Sequence, residues 1–129
     1  MTVRRIQFGI AAVFFILGGW ALFAPEHVIA TVVTPQYQSE DYLAVLTMAC
    51  FGAQAWLAGL FAATSRFTKW TFAAYGLALL PFFVFDYWFT RVVPVFNHIG
   101  MFDLVGNVVM LILCIYGWRT ASREEANSD

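Results

Sequence analysis

The sequence predicts an all-α, polytopic membrane protein built as a bundle of four transmembrane helices. Of its 129 residues, 61% are apolar and only 12% are charged, which leaves little material for a soluble domain. The apolar residues are concentrated in four runs, each close to the roughly 20 residues that a helix needs to cross a bilayer. These runs are Ile6–Ala24, Tyr42–Thr64, Trp70–Thr90 and Ile99–Trp118.

The basic residues predict the orientation of the four spans. Six of the seven Lys and Arg residues lie beside alternate ends of the runs, and such residues mark the cytoplasmic side of a membrane protein. Both chain termini are therefore predicted to lie in the cytoplasm. The six are Arg4, Arg5, Arg66, Lys69, Arg119 and Arg123, whereas the other two connections contain Glu26, Glu40 and Asp41 in one case and Arg91 in the other.

The first run is expected to be a retained span rather than a cleaved signal peptide. Cleavage after Ala24 would place Leu22 where a small residue is needed and Pro25 directly after the cut. A single membrane domain over residues 1–129 is expected. The longest connection, Pro25–Asp41, is too short to fold alone, and the polar tail from Thr120 is expected to fray.

Charge and cysteine patterns exclude some classes of protein. The net charge is −1 and the cations occur in pairs, so neither a nucleic-acid partner nor a polybasic lipid anchor is expected. Cys50 and Cys114 are predicted to lie at depths about 10 Å apart, counted along helices that rise about 1.5 Å per residue. The Cα atoms of a disulfide approach within about 7 Å, so no bridge is expected between them.

Small residues predict where the helices pack closely. In the second span, Ala55, Gly59 and Ala63 recur every four residues and define one face, which predicts that this helix is the most enclosed of the four. In the first span, the pair Gly18 and Gly19 would permit a close crossing.

The third run contains Pro81, which lacks a backbone donor and clashes with the preceding turn, so a kink is predicted near Leu77–Pro81. Aromatic residues at both ends of the runs, among them Tyr87 and Trp88, are typical of the headgroup level of a bilayer.

Most polar residues within the spans are predicted to lie in the outer half. Asp86 and Asp103 each stand about 6 Å from the outer end of their run, so the two carboxyls share a depth. Asn107 lies one turn below Asp103 on the same helix face. Arg91 and His98, with Asn97, occupy the connection directly above. These residues predict a polar pocket that opens toward the outside.

Three interpretations of this pocket follow from the cost of placing a carboxylate in a bilayer. In the first, Arg91 pairs with Asp86 or Asp103 and Asn97 caps the fourth helix, which gives a purely structural cluster. In the second, the pocket binds a small ligand. In the third, a proton or an ion passes along Asp103, Asn107 and the deeper Gln54. Without Arg91 between them, two adjacent carboxyls would share a proton.

Catalytic and metal-binding patterns are weak. His27 and His98 lie in different connections with no His-x-x-x-His or Cys-x-x-Cys spacing, so no metal site is predicted. No serine falls within a span, and the cysteines have no histidine nearby in the sequence, so no nucleophile or other catalytic residue is assigned. The sequence indicates no particular cofactor.

Two short stretches carry a family resemblance. Trp20-Ala-Leu-Phe-Ala-Pro-Glu and Phe96-Asn-His-Ile-Gly-Met-Phe-Asp-Leu-Val-Gly-Asn, with the four-span layout, resemble small bacterial inner-membrane proteins of the DoxX-like and uncharacterised four-helix kind. The resemblance implies a bacterial plasma membrane and both termini inside. The layout is also similar to sterol-isomerase-like membrane proteins, although the further intramembrane acids of that group are missing here.

The function expected from the sequence is that of a non-enzymatic accessory or binding protein. A small lipophilic ligand would lie in the outer-half pocket, with Asp103 and Asn107 orienting its polar group and Arg91 balancing charge. An intramembrane enzyme or small transporter using Asp86 and Asp103 is the alternative, and a structural subunit or homo-oligomer is another. Membrane lipids are the remaining expected partners. The predicted pocket residues are Asp86, Trp88, Arg91, His98, Phe102, Asp103 and Asn107.

Overall fold

A computed structural model describes residues 2–127 of the chain, and most of them are helical. The described residues form no β-strand, only an isolated antiparallel bridge between Val33 and Phe96. A short 3-10 turn covers Pro35–Tyr37, and a π-helical turn covers Trp88–Val92. The α-helices are α1 (Val3–Phe23), α2 (Pro25–Val32), α3 (Tyr42–Thr64), α4 (Lys69–Ala78), α5 (Leu80–Tyr87) and α6 (Met101–Ala126).

Four helical segments are long and apolar enough to cross a membrane, as predicted. They are α1, α3, α6 and the segment Lys69–Val92, which combines α4, α5 and the π-helical turn. Large apolar side chains face outward along them, with Ile16 70% exposed and Val84 61% exposed. Such a surface suits lipid rather than water. The α-helical fold with four membrane-length helices is therefore confirmed.

The boundaries of the fourth span differ from the prediction. Helix α6 begins at Met101 rather than Ile99 and continues past Trp118 to Ala126. The tail from Thr120, which was expected to fray, is therefore helical as far as Ala126. Lys69 at the start of α4 forms an ion pair of 2.6 Å with Glu125, which attaches this last part of α6 to the bundle.

The membrane-length segments run in alternating directions, so Val3 and Ala126 lie at the same end. Helix α1 packs along α3 and also contacts α6, while α6 packs on α4 and α5. We call the end that contains Val3 and Ala126 the terminal end. The opposite end contains α2 and the connection between α5 and α6, and we call it the α2 end.

Helices α1 and α3 cross closely through glycines. A methyl group added at Gly52 would lie 2.7 Å from the carbonyl oxygen of Gly18, and one added at Gly18 would lie 2.7 Å from the Ala55 side chain. The predicted close packing is therefore present. The prediction that the second span is the most enclosed is wrong, because only 11% of its apolar window is buried against 39% for α1. Its glycines pack against α1 and its first half also packs against α2, while much of its remaining surface is exposed.

The third span is broken where Pro81 predicts a kink. Helix α4 ends at Ala78, Leu79 forms a turn and α5 starts at Leu80, so Pro81 occupies the first turn of a new helix. A proline is tolerated there because the first helical amides have no intrahelical partner.

The terminal end contains a tightly packed core. Phe72 is fully buried against Gly117, where an added methyl would meet the ring within 2.6 Å. Gln7 is also buried, and its amide nitrogen donates hydrogen bonds of 2.6 Å to the carbonyl oxygens of Ala62 and Ser65. These carbonyls belong to the end of α3 and its cap, where a helix leaves acceptors without partners.

The α2 end has its own small core and structure in the first connection. Val28, Ile29 and Val32 of α2 are buried, so the segment expected only to connect two spans folds onto the bundle. The two connections at this end are hydrogen-bonded to each other. Thr34 donates its amide to Val95, and Asn97 donates its amide to Val32 at 2.9 Å. We call this pairing the loop clasp.

Candidate functional site

Asp86, Asn107 and Asp103 form a hydrogen-bonded cluster near the α2 end. The Asn107 side-chain nitrogen donates to Asp86 Oδ2 at 3.1 Å and to Asp103 Oδ2 at 3.1 Å. Asp86 is 4% exposed and Asn107 is 3% exposed. The predicted grouping of these three residues is therefore correct. We call the group the acid–amide cluster.

Local geometry explains how the cluster forms. Asp103 and Asn107 are four residues apart on α6 and so lie on one face. Asp86 comes from α5, which starts at Leu80 after the break at Leu79. A primary amide has two hydrogens, and Asn107 directs both at carboxyl oxygens. The amide therefore links α5 to α6 and fixes the orientation of both acids.

Arg91 does not take part, contrary to the structural interpretation of the sequence. It is exposed in the π-helical turn and forms no ion pair with any described residue. A long cationic side chain at the edge of a membrane-length helix can extend to water instead of entering the bundle. Among the described residues, the bonded partner shared by the two carboxyls is an amide and not a cation.

The other predicted pocket residues lie apart from the cluster. Trp88 and His98 are exposed. Gln54 is exposed on α3, so it does not extend the cluster deeper into the bundle as the proton-pathway interpretation requires. Asn97 accepts hydrogen bonds from the amides of Ile99 and Gly100 in the turn before α6. The N-cap of α6 is Gly100 and no described side chain bonds to the first helical amides, so the prediction that Asn97 caps this helix is wrong.

An open cavity of about 720 Å³ lies beside the acid–amide cluster at the α2 end. Asp103 and Phe102 line it, whereas Asp86 and Asn107 stand behind Asp103 and do not. Most of the wall is apolar and comes from α1, α2, the first half of α3 and the segment before α6. Its lining includes Leu17, Trp20, Val28, Val32, Ala44, Met48, Phe51, Phe96 and Phe102, with Tyr37, Ser39, Asp41 and Thr47 as further polar residues.

Sequence reasoning missed the side of the cavity that α2 forms. The available signals were Pro25 at the first helical position, Glu26 in the first turn and the apolar spacing of Val28, Ile29 and Val32. It also missed the hydrogen bond from Trp20 Nε1 to His27 Nδ1 at 3.0 Å, which ties the end of α1 to α2.

A second cavity at the α2 end, lined by Glu26, His27 and Glu40, has a volume of about 800 Å³. Within residues 2–127, no three His, Cys, Asp or Glu side chains come close enough together to hold a metal ion.

No family model, curated protein or solved structure matches this chain. The resemblance to DoxX-like proteins therefore stays a prediction. A fold of four helices serves many unrelated functions, so function is inferred from the cavity and the cluster.

Proposed function

We propose that this protein is an integral membrane binding protein that holds a small lipophilic ligand in the cavity at the α2 end. The observation that carries the proposal is a mostly apolar cavity of about 720 Å³ with Asp103 in its wall. Ligand pockets typically have about 300 to 1,000 Å³, mostly apolar walls and a few polar groups that orient the ligand. This cavity has each of these properties.

The acid–amide cluster would make Asp103 a rigid contact for the ligand. Asn107 holds the Asp103 carboxyl from behind, and Asp86 is bonded to the same amide. A binding group that is fixed before the ligand arrives loses less conformational entropy on binding. Asp86 and Asn107 therefore support the site without lining it.

We propose that the α2 end faces the outside of a bacterial inner membrane and that both termini are cytoplasmic. The support is the charge pattern, since six of the seven basic residues belong to the terminal end. Single cysteines replacing Ser39 and Ser122, in a variant without Cys50 and Cys114, would test it. In intact cells, a membrane-impermeant maleimide should label the cysteine at position 39 and not the one at 122. The reverse pattern would overturn the orientation.

A second function, proton handling by an intramembrane enzyme or transporter, is supported by one observation. Asp86 and Asp103 hydrogen-bond to the same amide nitrogen, and among the described residues no cation pairs with either. Transfer of a proton between neighbouring carboxyls is the chemistry that this second function would use. Proton-coupled flux or turnover in proteoliposomes that is lost in Asp86→Asn would favour this function over simple binding.

Native mass spectrometry of the protein, extracted gently from its own membrane, would test the binding function. We expect a stoichiometric lipophilic molecule on the wild-type protein and none on Asp103→Asn. Ala44 lines the cavity, so Ala44→Phe should also release the molecule, whereas Ala53→Phe, on the exposed face of the same helix, should not.

Thermal unfolding in detergent serves as the control, because all three variants must remain folded. Asp103→Asn keeps the shape of the side chain and an acceptor oxygen for Asn107. If Asp103→Asn unfolds and the wild-type protein retains no small molecule, the acid–amide cluster has a structural role instead. A stoichiometric protein partner on a protein with an empty cavity would make this chain a subunit of a larger complex.

A further inference from the structure

We infer that the cavity selects amphiphiles with a positively charged nitrogen head group over neutral and anionic ones. The inference rests on the proposed binding function and adds the chemical class of the ligand. It follows from the distribution of charge and of apolar surface along the cavity wall.

The charged residues in the wall are all acidic. Asp41 and Asp103 line the cavity, and of the described residues that line it, none is Lys, Arg or His. An anionic head group would meet two carboxyls without a counter-charge, whereas a cationic head would be attracted to both.

The charge around the cavity has the same sign. The segments 24–41 and 86–103, which form most of the α2 end, contain five carboxyl groups and a single cation, Arg91. Arg91 is exposed and does not line the cavity. A cleft lined by one sign of charge concentrates ligands of the other sign. The five acidic residues are Glu26, Glu40, Asp41, Asp86 and Asp103.

The hydroxyl group of Thr47, in the wall, also favours a donor or a cation. Thr47 already donates its hydrogen to the carbonyl oxygen of Leu43 at 2.7 Å. The oxygen of Thr47 is therefore left to accept, and an ammonium group supplies donors without needing acceptors.

The apolar surface continues away from the acids. Asp41 precedes α3 and Asp103 lies in the first turn of α6, so both are at the α2 end of the cavity. Phe51 lines it nine residues after Tyr42, about 14 Å further along α3. A ligand with its charge at the α2 end would extend an apolar tail toward Phe51. Aromatic rings in the wall would add cation–π attraction for the head.

Three probes with the same twelve-carbon tail would test the selection. Dodecylammonium, dodecanol and dodecanoate would be titrated at pH 7 onto the protein in dodecyl maltoside micelles, with occupancy read by native mass spectrometry. We expect dodecylammonium to bind at least tenfold more tightly than dodecanol, and dodecanoate to bind most weakly.

Variants assign that preference to the carboxyl. Asp103→Asn should reduce the ratio of dodecylammonium to dodecanol affinity toward one, because the negative charge that separates the two probes is removed. Ala44→Phe should weaken both probes, and Ala53→Phe neither. Equal binding of all three probes that is lost in Ala44→Phe would overturn the charge selection while leaving the binding function intact. The absence of binding by any probe would overturn both.

Discussion

The two ends of the molecule use buried polar groups differently. At the terminal end, Gln7 donates to two backbone carbonyls inside a core that is filled by Phe72 and leaves no room beside Gly117. At the α2 end, Asn107 donates to two acidic side chains, and one of them lines an open cavity. The buried amide of Gln7 thus satisfies backbone carbonyls at the end of a helix, whereas the buried amide of Asn107 positions a carboxyl group. Substitutions at the terminal end should change stability, and those at the α2 end should change ligand binding.

The largest loss of stability is expected for Gly117→Ala. Its new methyl group would overlap the ring of Phe72, which is fully buried, at a cost of about 3 kcal/mol. Gly76→Ala at the same α4–α6 interface is the control, because its methyl group would lie 3.6 Å from the Cys114 side chain. Unfolding by dodecyl sulfate in mixed micelles measures both. Equal stability of the two variants would show that the terminal end is not tightly packed.

A smaller loss, about 2 kcal/mol, is expected for Gln7→Leu. The substitution leaves the carbonyl oxygens of Ala62 and Ser65 without the hydrogen bonds that Gln7 donates. Gln54→Leu is the control, since Gln54 is exposed on α3 and its replacement by an apolar residue should not destabilise the protein. The same unfolding assay compares them, and dodecylammonium binding should be unchanged in both. A loss of dodecylammonium binding in Gln7→Leu would contradict the claim that substitutions at the terminal end change stability alone.

At the α2 end, Asn107→Leu should cost about 1.5 kcal/mol, because the two carboxyls lose the amide that they share. It should also weaken dodecylammonium binding, since Asp103 is no longer held in place. In a protein that already carries Asp86→Asn, Asn107→Leu should lower the stability less, because Asp103 then no longer faces a second carboxylate. A double-mutant cycle measures that coupling. Identical costs in both backgrounds would contradict the role assigned to the amide.

The smallest effect is expected for Lys69→Met, which removes the ion pair with Glu125. Both side chains are partly exposed, at 34% and 48% for Lys69 and Glu125, and exposed pairs contribute less than about 1 kcal/mol. The free energy of unfolding should therefore change by less than about 0.5 kcal/mol. A loss comparable to that of Gly117→Ala would mean that the end of α6 depends on this pair.

Much of the architecture could be predicted because the bilayer imposes lengths. Apolar runs gave four membrane-length helices, and Pro81 gave the break between α4 and α5. The acid–amide cluster was predictable because depth can be counted along a helix and residues four apart share a face.

Other features depended on information that residue spacing does not contain. Charge attraction favours an Arg91 pair, yet whether a flexible cation turns inward or outward depends on the backbone, here a π-helical turn. The small residues of α3 predicted a close contact but not the number of helices in contact. Helix α2 has only eight residues, so a search for apolar runs of membrane-spanning length does not detect it. The side of the cavity that α2 forms was missed for the same reason, although Phe102 and Asp103 in its wall were among the predicted pocket residues.

The loop clasp sets an order for biosynthesis. Thr34 and Val95 are separated by 61 residues, so the first connection cannot complete its hydrogen bonds until the second has emerged from the ribosome. At about 5 to 20 residues per second, the first hairpin of spans waits roughly 3 to 12 seconds for that partner. During this interval α2 lacks its final contacts, and the aromatic wall around Phe96 does not yet exist. A nascent chain released before α6 is made would therefore be inserted in the membrane but unable to retain a ligand.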